Sequence, residues 1–112
     1  MKKRDIVKSK ILFNDIINKG KRKTNRFFII CYMPKEEIKN NYGFAVGKKV
    51  GNAVIRNKLK RQLRNIVSNN YKLFPNYNNY IIICKKDVLN LTYINMEMEL
   101  VKLLKEINLN EK

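Results

Sequence analysis

The chain has 112 residues, of which 45% are hydrophobic and 10% aromatic, and its 25 lysines and arginines outnumber its nine carboxylates. This length allows one domain with a single modest core, and so large an apolar fraction excludes a fully disordered chain. The formal net charge of +16 and the pI near 10.0 predict a polyanionic partner. We therefore expect one nucleic-acid-binding domain over residues 1–112.

The apolar residues and cysteines predict a protein of the cytoplasm. A membrane span or a secretory signal would need a longer apolar run than any the sequence contains. Cys31 and Cys84 each lie in an apolar, strand-like run, which is typical of buried thiols in a reducing compartment. Because the chain has no histidine and only two isolated cysteines, we expect no structural zinc site and no disulfide.

The first predicted helix follows a basic arm, residues 1–8, to which we assign no definite role. Ser9 is a predicted N-cap, and Gly20, preceded by a lysine, is a predicted C-cap. Between the caps the apolar residues recur at helical spacing: Leu12, Phe13, Ile16 and Ile17. Such a stripe faces either a core or the floor of a cleft.

Three strands are predicted by composition. Residues 21–26 form a basic polar loop that leads into a strand over residues 27–32, and Pro34 ends that strand. Residues 42–46 form the returning strand, for which an antiparallel pairing with the first is the simplest choice. The continuous apolar run of residues 80–84 predicts a strand buried on both faces.

The central helix, from about Asn52 to Asn69-Asn70, carries the strongest functional signal. Residues 47–67 contain seven cations and no carboxylate, whereas ordinary solvated helices interleave acids with bases. One apolar stripe is predicted to face the core: Ile55, Leu59, Leu63, Ile66 and Val67. The adjoining arc is predicted to bind nucleic acid: Arg56, Asn57, Lys60, Arg61 and Arg64. Lys48 and Lys49 lie just before this helix, so their ammonium groups and the free backbone N–H groups of the helix N-terminus could bind one phosphate together.

A last helix begins near Thr92, a possible cap, and its apolar stripe predicts another core-facing element. The element order is helix, two or three strands, helix, strand, helix, which indicates one α+β layered domain. The central helix joins two strands, so it is expected to cover one face of the sheet and to leave its basic edge in solvent.

The residues that a protein nuclease needs are absent from the basic region. Two-metal nucleases use clustered carboxylates and others use histidine as acid and base, but none of the nine acids falls between residues 48 and 64. Phosphate-binding glycine motifs are also missing. We therefore expect the protein alone to catalyse nothing.

Residues 48–64 resemble the signature of the bacterial ribonuclease P protein subunit. They supply Lys-Lys, then Gly two residues later, then Ala-Val, Arg-Asn, Lys-Arg and a further Arg, all at the spacing of that family. Chain length and element order agree with the resemblance over nearly the whole chain.

The resemblance implies that a catalytic RNA subunit, using magnesium, removes the 5′ leader of precursor tRNA. It implies an α/β sandwich, αβββαβα-like, with a left-handed crossover. It implies contacts to the RNA subunit by these residues: Lys48, Lys49, Asn52, Arg56, Asn57, Lys60, Arg61 and Arg64. It also implies a cleft for the single-stranded leader lined by these residues: Phe13, Ile17, Phe28, Cys31 and Lys48. It implies neither a membrane nor an obligate protein partner.

Two alternatives remain open on the residues themselves. A basic ribosomal or ribosome-associated protein would share the charge, the size and the missing catalytic groups, but it does not explain the long motif. A sequence-specific DNA-binding module would need base-reading side chains on a recognition helix, and nothing here specifies them. Phe13 and Phe28 are as readily core residues as leader contacts. Ile17 and Cys31 stand where the family often has aromatics, so stacking on leader bases would be weaker here.

Overall fold

The computed structural model describes residues 1–110, and side chains through residue 108. It contains three α-helices: Lys10–Lys19 (α1), Ala53–Asn69 (α2) and Tyr93–Asn110 (α3). It contains four strands: Lys21–Thr24 (β1), Phe28–Pro34 (β2), Asn41–Val46 (β3) and Asn78–Cys84 (β4). This architecture confirms the predicted mixed α/β class. The last two residues of the predicted domain 1–112 lie outside the described residues.

The four strands form one sheet in the order β1-β2-β4-β3. β2 is antiparallel to both β1 and β4, whereas β3 is parallel to β4. Two predictions are therefore wrong. Residues 21–24 form a strand instead of a loop, because pairing with β2 overrides their weak strand propensity. β2 and β3 do not pair with each other, because β4 lies between them.

The parallel pair of β3 and β4 is connected through α2, as a crossover requires. The left-handed sense of that crossover stays a prediction from the resemblance. Within residues 1–110, no helix is long and apolar enough to span a membrane.

Two hydrophobic clusters lie on opposite faces of the sheet. The larger one joins alternate residues of β2, β3 and β4 to the apolar stripes of α2 and α3. The smaller one packs α1 on the other face, around Ile16, Cys31 and Ile81. The molecule thus has three layers: α1, the sheet, and the pair α2 and α3. Since α2 covers the face opposite α1, its outer surface and the α1 face of the sheet are separate surfaces.

Caps set the ends of the helices much as the sequence predicts. The side chain of Ser9 accepts a hydrogen bond from the backbone N–H of Leu12, 3.1 Å, at the start of α1. At the start of α3, the side-chain hydroxyl of Thr92 accepts a hydrogen bond from the backbone N–H of Asn95, 3.2 Å. The predicted starts of all three helices, and the predicted ends of α1 and α2, therefore hold to within a residue or two.

The basic arm is attached to the sheet. Residues Lys3–Asp5 form a short 3₁₀ turn, and Ile6 then makes a parallel bridge with Tyr42 of β3. The backbone N–H of Val7 donates to the carbonyl of Tyr42, 2.8 Å. The basic arm, to which the sequence assigned no role, therefore extends the sheet beside β3.

Candidate nucleic-acid interface

The outer surface of α2 is basic, as its sequence pattern predicts. Asn57, Arg61 and Arg64 are exposed, and Arg56 and Lys60 are half-buried. The apolar stripe opposite them is buried, except that Ile55 at its start is 37% exposed. These five polar residues, together with Lys48, Lys49 and Asn52, are called the basic helix surface below.

The turn before α2 holds its two lysines in solvent. The N–H of Val50 donates to the carbonyl of Gly47, 3.0 Å, and leaves Lys48 and Lys49 exposed at the turn. Asn52 is the N-cap of α2, because its Oδ1 accepts from the N–H of Ile55 at 3.0 Å. Asn52 therefore has a structural role, and only its amide N–H groups are left for a ligand.

Arg56 carries an unusual donor. Its Nε is buried and has no hydrogen-bond partner among the described residues. A buried N–H without an acceptor is costly, and a ligand oxygen would remove that cost. Because Nε itself is buried, a phosphate oxygen at the surface of α2 reaches it only if the half-buried Arg56 side chain moves outward.

A second surface lies where α1 leaves part of the sheet uncovered. Phe13 and Ile17 on α1 are half-buried, and they pack against the same hydrophobic cluster as the half-buried sheet residues Ile29, Ala45 and Ile83. We call these five residues the sheet cleft. A Cβ atom built on Gly43 of β3 would lie 2.8 Å from Cε2 of Phe13, so the absence of a side chain at Gly43 lets the ring rest against the strand.

Four lysines stand at one end of this sheet face. A concavity of about 680 Å³ lies at the carboxyl ends of β3 and β4, with Val50 and Ile83 among its apolar lining. Its lysines come from the two segments that follow these strands: Lys48, Lys49, Lys85 and Lys86. The Nζ of Lys85 donates to the carbonyl of Asn25, 2.7 Å, whereas Lys86 is exposed.

The family model for ribonuclease P matches residues 1–108. The chain belongs to the ribonuclease P protein family. The curated ribonuclease P protein component of Mycoplasma capricolum subsp. capricolum is 44% identical to it over 108 residues, which cover 96% of this chain and 99% of the relative. As a member, this chain is a component of a holoenzyme that processes tRNA, and it has an RNA partner there.

Solved ribonuclease P proteins share the fold. The Staphylococcus aureus protein is 28% identical, covers 92% of this chain and 94% of its own, and superposes with a TM-score of 0.84. The Thermotoga maritima protein is 26% identical, covers 92% of this chain and 97% of its own, and gives a TM-score of 0.83. These likenesses favour the ribonuclease P interpretation over the ribosomal alternative.

Two of the residues predicted to line the leader cleft of this ribonuclease P protein do not line it. Phe28 is completely buried in the cluster with α2 and α3, on the face opposite Phe13. Phe28 and Cys31 are three residues apart in one strand, so they point to opposite faces. Cys31 lies on the cleft side but is completely buried beneath α1. The predictions that Phe28 and Cys31 contact a leader are therefore wrong for this structure.

Lys85 and Lys86 were missed as candidate site residues. The signal that finds them is topological, because parallel strands end at the same sheet edge and each of these two strands is followed by a lysine pair. An assumed β2–β3 hairpin hid that relationship.

The two cysteines of this family member are buried, protonated thiols. Burial raises the pKa of the Cys31 thiol and raises that of Cys84 to about 12, so both are protonated at neutral pH. Both are free and buried, as predicted. Among the described residues, no group of three or more carboxylates and thiols lies close enough to hold a metal ion.

Proposed function

We propose that this chain assists the catalytic RNA subunit of ribonuclease P in the endonucleolytic removal of the 5′ leader from precursor tRNA. The basic helix surface binds the RNA subunit, and the sheet cleft holds the leader. The observation that carries this proposal is the pairing of a carboxylate-free cationic helix with a separate apolar cleft on one small domain. The proposal places the protein in the cytoplasm.

The basic helix surface suits a folded RNA. Arg61 and Arg64 are exposed one turn apart, and their planar guanidinium groups can each grip a phosphate with two hydrogen bonds. Lys48 and Lys49 add cations beside the N-terminus of α2, whose free N–H groups favour an anion. Each phosphate neutralised in this way releases counterions, which makes the affinity depend steeply on salt.

The sheet cleft suits a single strand. Unpaired bases stack on aromatic rings and apolar surface, and Phe13 supplies the ring that this cleft offers. The lysines at the end of the cleft are positioned for the phosphates of the same strand. Because Ile17 stands where the family often has an aromatic residue, Phe13 is left as the stacking platform, and the leader would bind more weakly than to two rings.

Magnesium belongs to the RNA subunit in this proposal. The basic helix surface carries no carboxylate, so its residues do not fit a magnesium site. The protein contributes binding and orientation, and it holds no group that moves a proton in the reaction.

The RNA that copurifies with the chain tests the proposal. The tagged full-length chain is recovered from its own cells, and the bound RNA is sequenced. Enrichment of one structured RNA that cleaves precursor tRNA with magnesium supports the proposal. Enrichment of ribosomal RNA without that RNA overturns it in favour of the ribosomal alternative.

A further inference from the structure

The arm and the end of α2 border two adjoining depressions, and Arg64 is the one residue of their lining that the proposed function uses. The first, of about 310 Å³, is called the amide pocket, and its lining includes Met1, Asn40, Tyr42, Ser68, Tyr71 and Asn76. The second, of about 290 Å³, is called the basic groove, and it is lined by Met1, Lys2, Lys3, Ile6, Lys8 and Arg64. Met1 lines both, so the two depressions lie next to each other.

The amide pocket combines an aromatic rim with polar groups. Tyr71 is 59% exposed, which leaves its ring available for stacking. The hydroxyl of Ser68 and the amide of Asn76 can each donate and accept hydrogen bonds. Burial raises the pKa of Tyr42, so its hydroxyl stays protonated at neutral pH and can donate a hydrogen bond. The same hydroxyl accepts one long hydrogen bond, 3.5 Å, from Nδ2 of Asn40. These groups resemble those that read the edges of unpaired bases.

Among the described residues, the acid that lines the amide pocket is Asp5, and its charge is neutralised by an ion pair. Oδ1 of Asp5 forms an ion pair with Nζ of Lys39 at 2.8 Å, and this contact lowers the pKa of the Asp5 carboxyl. Asp5 therefore stays charged and paired at neutral pH, so it presents little net repulsion to a phosphate. The same pair helps to hold the arm where Lys2 and Lys3 border the basic groove.

The basic groove is continuous with the basic helix surface. Arg64 belongs to both, and the exposed side chains of Lys2, Lys3 and Lys8 extend its charge away from α2 along the arm. A bound RNA strand that contacts α2 can thus continue over the arm. The amide pocket, at about 310 Å³, is at the lower end of the ~300–1,000 Å³ range of ligand sites. This volume suits one base and excludes a duplex.

We propose that the amide pocket takes one unpaired base of the RNA subunit while the basic groove holds the phosphates beside it. This inference rests on the proposed function, because it assigns a further contact to the same RNA. It differs from the leader contact in place, since the amide pocket is formed by the arm and the α2 face and does not include the sheet cleft.

Tyr71→Ala tests the base contact, with Tyr77→Asn as its matched control. Tyr77 is 50% exposed, does not line the pocket, and has a positive φ of 67° that asparagine tolerates. Loss of one stacking platform is expected to weaken binding of the RNA subunit by about 5- to 150-fold, and Tyr71→Phe is expected to restore it. Chemical probing of the RNA should show one unpaired nucleotide that the wild-type protein protects and Tyr71→Ala exposes.

The double variant Lys2→Gln, Lys3→Gln tests the phosphate contacts, with Lys102→Gln, Lys105→Gln on α3 as its control. Two lost contacts to single-stranded RNA should reduce the slope of log affinity against log salt by about 1.4. The α3 control should leave the slope unchanged.

The outcomes separate this inference from the proposed function. Equal affinities for Tyr71→Ala and Tyr77→Asn, with no change in nucleotide protection, would overturn the base contact even if the arm lysines alter the salt slope. Failure of the wild-type chain to bind the RNA subunit would overturn the proposed function itself. Thermal unfolding of each variant, measured in parallel, identifies any loss of affinity that follows from misfolding.

Discussion

Tyr42 of β3 and Tyr80 of β4 stack in register, with ring centroids 5.7 Å apart and ring planes 14° from parallel. Phe74, which follows α2, meets both rings edge-on at 5.2 and 5.0 Å. This arrangement ties the end of the central helix to both strands that it connects. The basic helix surface and the sheet cleft are thereby held at a fixed separation, as the two proposed contacts with one RNA assembly would require.

Cleavage of precursor tRNA should need the RNA subunit. The purified chain is expected to leave the precursor intact, because the basic helix surface holds no carboxylate or histidine to activate water. Addition of the RNA subunit and magnesium should restore leader removal, measured by gel electrophoresis of labelled precursor. Leader removal at a comparable rate by RNA-free, nuclease-free protein would contradict this prediction.

Arg61→Ala should weaken binding of the RNA subunit and change stability little. Arg61 is exposed on α2, and exposed substitutions usually shift the free energy of unfolding by less than ~0.5 kcal/mol. Loss of one phosphate contact should make the salt dependence shallower by about 0.7–0.9 in slope. Lys105→Ala, on the mixed-charge face of α3, is the control. An unchanged slope with a lower melting temperature would show instead that Arg61 is structural.

Phe13→Leu should reduce discrimination between precursor and mature tRNA by the holoenzyme. Leucine keeps most of the buried volume but removes the aromatic face, and one stacking platform is worth ~1–3 kcal/mol. Phe28→Leu is the comparison, since Phe28 is completely buried on the other face and should alter stability alone. If Phe13→Leu keeps full discrimination in competition binding, Phe13 is a core residue and the leader lies elsewhere.

Gly43→Ala should be destabilising, whereas Gly47→Ala should be nearly neutral. A Cβ on Gly43 would lie 2.5 Å from Cδ1 of Ile81 and 2.8 Å from Cε2 of Phe13, so the side chains must move at a cost of ~1–3 kcal/mol. A Cβ on Gly47 meets nothing within 4 Å, and its φ is not positive. Urea unfolding of both variants measures the difference, and equal stabilities would contradict the packing described for Phe13.

The attachment of the arm should depend on pH through Asp5. The contact with Lys39 lowers the pKa of this carboxyl below its ordinary 3.8, so the charged form favours the docked arm. The stabilisation that this ion pair adds to the docked arm is present in full above the ordinary pKa and is lost as the pH falls through the lowered value. Asp5→Asn should reduce the hydrogen-exchange protection of the Val7 amide at pH 7. Equal protection factors in wild type and variant would show that the backbone bonds alone hold the arm.

The helices were predictable because their signals are local. Ser9, Asn52 and Thr92 each cap a helix from their own sequence position, and the apolar periodicity of α2 identifies its buried and basic sides. The basic helix surface follows directly from that periodicity. No long-range information was needed for any of these predictions.

The sheet was not predictable to the same degree, because strand order depends on contacts between distant segments. β1 carries three cations among its four residues and becomes a strand only by pairing with β2. The insertion of β4 between β2 and β3 brings Lys86 beside Lys48, and nothing in either segment alone indicates it. The wrong prediction that Phe28 lines the leader cleft was avoidable from the sequence. Phe28 and Cys31 lie three residues apart in one strand, so their side chains point to opposite faces of the sheet.

The two outer strands of this small sheet carry features that oppose edge-to-edge association of free chains. Exposed edge strands offer unpaired backbone groups that can recruit a second chain. At one edge, β1 has three cationic residues in succession, Lys21, Arg22 and Lys23. At the other edge, the backbone carbonyl of Tyr42 in β3 accepts a hydrogen bond from Val7 of the arm. Cations on an edge repel an identical edge, and this repulsion fades as salt shortens the screening length to about 3 Å at 1 M. Concentrated salt should therefore weaken the repulsion between β1 edges and also the proposed attraction of the basic helix surface to RNA.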